Sequence, residues 1–210
     1  MPDNSVDSAE TQRLLMRISS GDRDAFNDLF ARHRSDLRQA VQLRLDKRLR
    51  ARADASNLIQ ETQMEAFRRL DDYLERRPMP FRLWLRKTAQ ERIYNHRRAH
   101  LQTDRRTVRR EEQLPDKSSL MIAAPFLARG ASLSEQVVKG DHKRLVGEAV
   151  AELDDLDREI LLMRNVEGLS QVEIGQVLDL SHDVVRKRYG RALVKLQRLL
   201  VEKGVREANA

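Results

Sequence analysis

Four cations fall within six consecutive positions near the C-terminus: Arg186, Lys187, Arg188 and Arg191. Guanidinium and ammonium groups at such density bind phosphate, and an Arg at the start of a helix can also address base edges. A second concentration lies in the middle of the chain. Between Arg82 and Arg110 there are ten Lys and Arg against Glu91 and Asp104, a local charge of +8, while the whole chain carries only +7. Neutralising phosphates with release of counterions needs this kind of local concentration. Tyr94 stands among these cations and offers a ring on which an unpaired base could stack. The chemistry implied is polyanion binding, with nucleic acid the first partner and an anionic membrane surface its rival.

Chemistry of other kinds has no constellation behind it. The chain of 210 residues has no Cys, which removes thiolate metal sites, disulfides and a catalytic thiol. Its five His are scattered, and His33 occupies a core-facing position better suited to packing than to a metal. No Gly-rich phosphate-cradling loop is present. An enzyme, a metal site and a cofactor are therefore not expected. The longest apolar runs, such as Ile160–Met163, are far too short to cross a bilayer, and Met1–Glu10 has acids but no apolar block. These features point to a soluble cytoplasmic protein without membrane insertion.

The elements that must carry these residues are helices. Only 4% of residues are aromatic and 35% are charged, with few Gly and Pro, so cores must come from Leu, Ile, Val and Ala on amphipathic helices. The predicted fold is all-α, with two small helical domains joined by a flexible linker. Residues 1–20 form an N-terminal segment with a short amphipathic piece at Leu14, Leu15 and Ile18. Residues 21–100 form the first module. In it, Phe26, Phe30, His33, Leu37 and Val41 recur at helical spacing, and Asp54 is placed to cap a second helix with Leu58, Ile59, Ala66, Phe67 and Leu70 on its inner face. Pro78 and Pro80 bracket a loop. Beyond it, Phe81–Arg98 places Phe81, Trp84, Leu85, Ala89 and Ile93 opposite Arg82, Arg86, Lys87, Gln90, Tyr94, Arg97 and Arg98. Residues 101–138 lose the period and predict a linker with at most a short helix around Leu120–Leu127. Residues 139–203 form the second module, and 204–210 a tail.

The second module carries the sharper pattern. Ser170 and Glu173 have capping-box spacing; Val172, Ile174 and Val177 are expected to pack inward. Asp179-Leu180 turns the chain and Ser181 caps the next helix. That helix turns Val185, Ala192 and Leu196 inward and Asp183, Arg186, Lys187, Gly190 and Arg191 outward. Two helices joined by a tight turn, with cations and a small residue on the free face of the second, form a helix-turn-helix suited to a major groove.

At these residues the chain closely resembles the extracytoplasmic-function (group IV) branch of the sigma-70 family. Asp54-Ala-Ser-Asn-Leu-Ile-Gln-Glu61 with Ala66-Phe67-Arg68-Arg69-Leu70 is similar to region 2.2. Phe81-Arg-Leu-Trp-Leu-Arg86 through Arg97-Arg98 is similar to regions 2.3 and 2.4. Leu153–Arg164, Glu167-Gly-Leu-Ser170 and Val185-Arg-Lys-Arg-Tyr-Gly-Arg-Ala192 resemble regions 4.1 and 4.2. The resemblance implies a factor that binds core RNA polymerase, through the β′ clamp helices and the β flap, and directs it to promoter DNA. Core contacts would fall on Asp54, Asn57, Leu58, Gln60, Glu61 and Glu65. The −10 element would fall to Arg82, Arg86, Lys87, Gln90, Tyr94, Arg97 and Arg98, and the −35 element to His182, Asp183, Arg186, Lys187, Arg188, Gly190 and Arg191. An anti-sigma protein is a further candidate partner. The chain departs from the family at Ser56 and Asn57, where acids are usual, and at Gln90-Glu91, in the area where an Asn is common. The His96-Arg-Arg-Ala-His100 ending and the long Ser-containing linker resemble a planctomycete-type subgroup. The alternative is a helix-turn-helix regulator that works without polymerase core.

Overall fold

In a computed structural model, residues 7–45, 55–103, 116–127 and 140–205 are described. Among them are ten helices: α1 (Ala9–Ser19), α2 (Ala25–Gln42), α3 (Ala55–Arg68), α4 (Leu70–Arg76), α5 (Phe81–Thr103), α6 (Asp116–Leu127), α7 (Gly140–Ala151), α8 (Asp155–Asn165), α9 (Gln171–Leu178) and α10 (His182–Glu202). The described residues contain no strand. No described helix is long and apolar enough to cross a membrane. The chain divides into two compact units. The first comprises Met1–Gln42 and Arg48–Val108, the second Leu43–Lys47 and Arg109–Ala210.

The first unit is built on α2, which packs against α1, α3 and α5. Phe26, Leu29 and Phe30 of α2 are buried with Leu14, Leu15 and Ile18 of α1, so the N-terminal amphipathic piece belongs to this core. The break between α1 and α2 is made by Gly21, whose φ of 101° lies in the left-handed region open to glycine. Asp22 then accepts from the Ala25 backbone N–H at 3.3 Å and starts α2. Its other oxygen takes two bonds from the Arg17 guanidinium, at 2.9 and 2.6 Å, which hold the Asp22 carboxyl below its usual range. In α3, Leu58, Ile59, Thr62 and Ala66 face inward. Phe67, expected on that face, is 48% exposed at its edge, where its ring still meets Phe26 edge-on at 5.2 Å. A 100° step beyond Ala66 carries it off the buried arc.

In the second unit α6 packs on α7 and α8, and α10 packs on α7, α8 and α9. Ile122, Ala123, Val146, Leu161, Leu162 and Leu196 meet in one cluster. Leu43 joins that cluster, and Ser118 Oγ donates to the Leu43 carbonyl at 3.0 Å. Arg44 is enclosed beside it and pairs with Glu159 and Glu167, its Nε lying 2.7 Å from Glu159 Oε1. Burial works against the Arg44 charge, but the two carboxylates outweigh it and raise its pKa, so the cation persists.

Candidate nucleic-acid interface

The helix-turn-helix is assembled by local hydrogen bonds that the side chains dictate. Ser170 and Glu173 form the full reciprocal box: the Ser170 N–H donates to Glu173 Oε2 at 2.7 Å, and the Glu173 N–H to Ser170 Oγ at 3.2 Å. Asp179 ends α9 in the left-handed conformation at φ 55°, and the Leu180 N–H returns to the Gly175 carbonyl at 2.9 Å. Gly175 is required there, because a Cβ would stand 2.6 Å from the Leu180 carbonyl oxygen. Ser181 caps α10 by accepting from the Val184 N–H at 3.4 Å. Val172, expected to point inward, is 56% exposed. Two residues along a helix turn by 200°, so Val172 and Ile174 cannot share a face. Ile174 and Val177 hold the inner side, with Gly175 between them.

On α10, Val185, Ala192 and Leu196 are buried and fix the helix against the unit. His182, Asp183, Arg186, Lys187, Gly190 and Arg191 are exposed together on the opposite side. Asp183 and Arg186 approach to 3.4 Å, one turn apart. The space where a Gly190 Cβ would project is open, so a flat surface can come close to the backbone there. Arg188 is different. Its guanidinium turns back into the unit and donates to Asp157 Oδ1 at 2.6 Å. It holds α10 to α8 instead of joining the outward face. Tyr189 does similar work, its hydroxyl donating to Asn165 Oδ1 at 3.1 Å.

In the first unit, the expected cations of α5 are unequally presented. Tyr94 is 63% exposed and Arg98 is exposed, while Arg82, Lys87 and Gln90 are half-buried. Arg86 is only 6% exposed and donates to Gln90 Oε1 at 3.1 Å, so in this conformation it supports the helix more than it meets a phosphate. The Arg97 side chain lies outside the described residues. Trp84 is buried in an aromatic cluster with Tyr73 at 4.6 Å and Phe81 at 5.6 Å between centroids, and is not free to stack on a base. Ahead of α5, residues 77–80 form a short loop. Arg77 sits at φ 39°, its N–H returns to the Tyr73 carbonyl at 2.8 Å, and the Tyr73 hydroxyl donates to the Met79 carbonyl at 3.1 Å.

A third surface runs along α3. Asn57, Gln60, Glu61 and Met64 lie on one stripe, since helical steps bring positions three and four apart together. Asn57 and Gln60 are exposed, and Glu61 meets His96 at 3.1 Å. Leu58 is fully buried and Glu65 is enclosed by Arg68 at 2.8 Å and Arg69 at 2.6 Å, so neither joins that stripe. Asp54 lies outside the described residues. Met64, not singled out from the sequence, is 62% exposed at the same helical angle as Asn57 and Gln60.

Two small units, helical throughout their described residues, one with a basic helix and a short loop, the other with a capped helix-turn-helix, define a DNA-binding protein. Residues 149–198 match the family described as Sigma-70, region 4. The chain is 30% identical over 191 residues to RNA polymerase sigma factor CnrH of Cupriavidus metallidurans, covering 89% of this chain and 92% of that one. It is 29% identical to RNA polymerase sigma factor NccH of Alcaligenes xylosoxydans xylosoxydans, over 95% and 97% of the two chains. It is 25% identical to the ECF RNA polymerase sigma-E factor of Escherichia coli, over 86% and 89%. The fold resembles the solved structure of CnrH in complex with the cytosolic domain of CnrY, with a TM-score of 0.57 and 26% identity over 92% of this chain and 98% of that one. The chain belongs to the extracytoplasmic-function RNA polymerase sigma factors of the sigma-70 family. Its function is to bind core RNA polymerase and direct promoter recognition and transcription initiation.

Proposed function

We propose that the work of initiation is divided between the units residue by residue. Region 2 spans residues 21–100 with α1 packed onto it, region 4 spans 139–203, and 101–138 connect them. In region 4, His182, Asp183, Arg186, Lys187, Gly190 and Arg191 address the −35 element in the major groove. In region 2, the segment Asp71–Pro80 captures an unpaired −10 base; Asp71–Arg76, read as loop from the sequence, belongs to α4, so the loop proper is Arg77–Pro80. Tyr94, Arg82, Lys87, Gln90, Arg97 and Arg98 hold the separated strand. Asp54, Asn57, Gln60, Glu61 and Met64 dock on the β′ clamp helices, and region 4 meets the β flap. Opening needs no nucleotide hydrolysis, because base capture and backbone charge supply the driving force. No catalytic, metal or cofactor role is assigned to any residue, and the factor works in the cytoplasm.

The observation that carries this reading is the outward face of α10. Its cations are exposed together on a helix whose opposite side is locked into a capped helix-turn-helix. CnrH and a Bartonella quintana RpoE have been solved with CnrY and the anti-sigma factor NepR respectively. By analogy, an anti-sigma protein silences this chain by covering its polymerase-docking or DNA-reading surfaces. The His96-Arg-Arg-Ala-His100 sequence within α5 supports membership of the planctomycete-type subgroup, and a phylogenetic tree grouping the chain elsewhere would remove that assignment. The deciding experiment for the function adds the purified protein to sigma-free core polymerase and looks for specific run-off transcripts. Binding to core and new promoter selectivity are expected. If core neither binds the protein nor gains selectivity, the reading fails.

A further inference from the structure

One polar contact in the first unit joins residues 74 positions apart: the backbone N–H of Phe81, the first residue of α5, donates to Asp7 Oδ2 at 2.8 Å. The first N–H groups of a helix have no partner within the helix, and a side-chain oxygen at the N-cap normally satisfies one of them. Here the residue before α5 is Pro80, which has no side-chain oxygen to offer. The cap is supplied instead from ahead of α1.

Asp7 is well placed for this. Ser8, its neighbour, caps α1 by accepting from the Thr11 N–H at 3.3 Å, and Gln12 Nε2 donates to the Asp7 carbonyl at 3.2 Å. The position of the carboxylate is therefore set by the start of α1, which is packed into the core. Its second oxygen, Oδ1, is buried without a hydrogen-bond partner. A buried carboxylate oxygen left unpaired is costly, and the cap is what offsets it. The charge is felt by neighbours on both sides. With burial, it pushes the Tyr73 phenol well above its ordinary range, and it opposes the burial that lowers His33. Tyr73 is the residue whose hydroxyl holds the Met79 carbonyl. The loop Arg77–Pro80 is thus pinned at its start by the Tyr73 carbonyl, in its middle by the Tyr73 hydroxyl, and at its exit by Asp7.

We propose that Asp7 is a positioning residue for −10 recognition, holding the exit of the Arg77–Pro80 loop and the first turn of α5 in the shape that receives an unpaired base. It touches no DNA itself. This rests on the assignment of that loop to base capture.

The test uses full-length wild type, Asp7→Ala and Asp7→Asn with core polymerase. Asn keeps an acceptor and is itself a good cap, so it should retain most function, and it keeps the test sound should the Ala variant fold poorly. For Asp7→Ala, core affinity and preference among −35 sequences should stay within about twofold of wild type. Open-complex formation on duplex promoters should fall roughly fivefold, the equivalent of one lost cap. Preference among −10 bases should flatten, also on templates opened in advance. The inference is overturned by an Ala variant that opens and selects −10 bases like wild type. It is equally overturned by an Asn variant as defective as Ala, or by parallel loss of −10 and −35 selectivity with core binding, which marks a merely structural role. If wild type itself fails to direct core polymerase, the functional assignment falls first and takes the inference with it.

Discussion

At the scale of single residues, Gly175 makes the sharpest demand. Its missing Cβ leaves room for the Leu180 carbonyl, and both groups are backbone, so neither can swing aside. Gly175→Ala should therefore destabilise the second unit by about 1–3 kcal/mol, as forced overpacking does elsewhere. It should weaken −35 binding with no change at the basic face, as thermal melting and a −35 duplex binding assay would show; an unchanged melting temperature would refute the close approach. His33 bears on pH. Burial disfavours its cation and lowers its pKa from 6.5, helped by Arg32 and Arg82 and opposed by Asp7 and Asp36. The unfolded chain then binds the proton more readily than the folded one. The stabilising effect of a neutral His33 is complete above the unfolded value of 6.5 and is lost as pH falls below it toward the folded value. Melting curves from about pH 7.5 to about 5.5 should show the loss, and His33→Gln should flatten it; equal slopes in the two proteins would count against the assignment. The packing of His33 was legible from its place at helical spacing with Phe30 and Leu37. The enclosure of Arg44 was not, because a basic stretch looks the same in sequence whether it is solvated or paired with Glu159 and Glu167, more than a hundred positions away.

At the scale of elements, α10 separates two cations that look alike in sequence. Lys187 is on the outward face, and Arg188 is tied to Asp157. Lys187→Ala should leave stability alone, weaken binding to all −35 sequences alike and reduce the slope of log affinity against log salt by about 1. Arg188→Ala should instead destabilise the second unit by about 1–3 kcal/mol and lower its melting temperature, by leaving Asp157 buried and unpaired. Titrations at several salt concentrations beside thermal melts would distinguish them, and a reversal of the two phenotypes would refute the geometry. The helix-turn-helix was legible because its caps, its turn and the two faces of α10 are written in short-range spacing. The helix α6 was only partly so. The weak period suggested little more than a short helix around Leu120–Leu127, yet it begins at Asp116 and buries Ile122 and Ala123. Its central residues Leu120–Ala124 are all apolar, so buried and exposed positions look alike in sequence and the period is faint. Val172 and Phe67 were misplaced for the opposite reason. Counting apolar residues without their helical angle assigns to the core side chains that stand at its edge or opposite it.

At the scale of the whole molecule, each unit offers a small DNA surface, and a small surface alone gives weak selection. Docking both on one polymerase turns the second contact into an intramolecular event, so two weak elements act as one strong one when their separation suits the complex. That makes spacing a determinant in its own right. Inserting about five base pairs between the −35 and −10 elements turns them by about half a helical turn relative to each other, so both cannot face the same protein surface. Transcription by core polymerase loaded with the full chain should then fall by at least roughly tenfold, the loss expected when one of two linked contacts is forfeited. Footprinting should show one element protected, not both. The same insertion should leave binding of the free protein to an isolated −35 duplex unchanged, because that contact needs only α10 and the turn that presents it. Output that stays constant across such insertions would mean that the two surfaces read DNA independently, and the division of labour between the units would have to be abandoned.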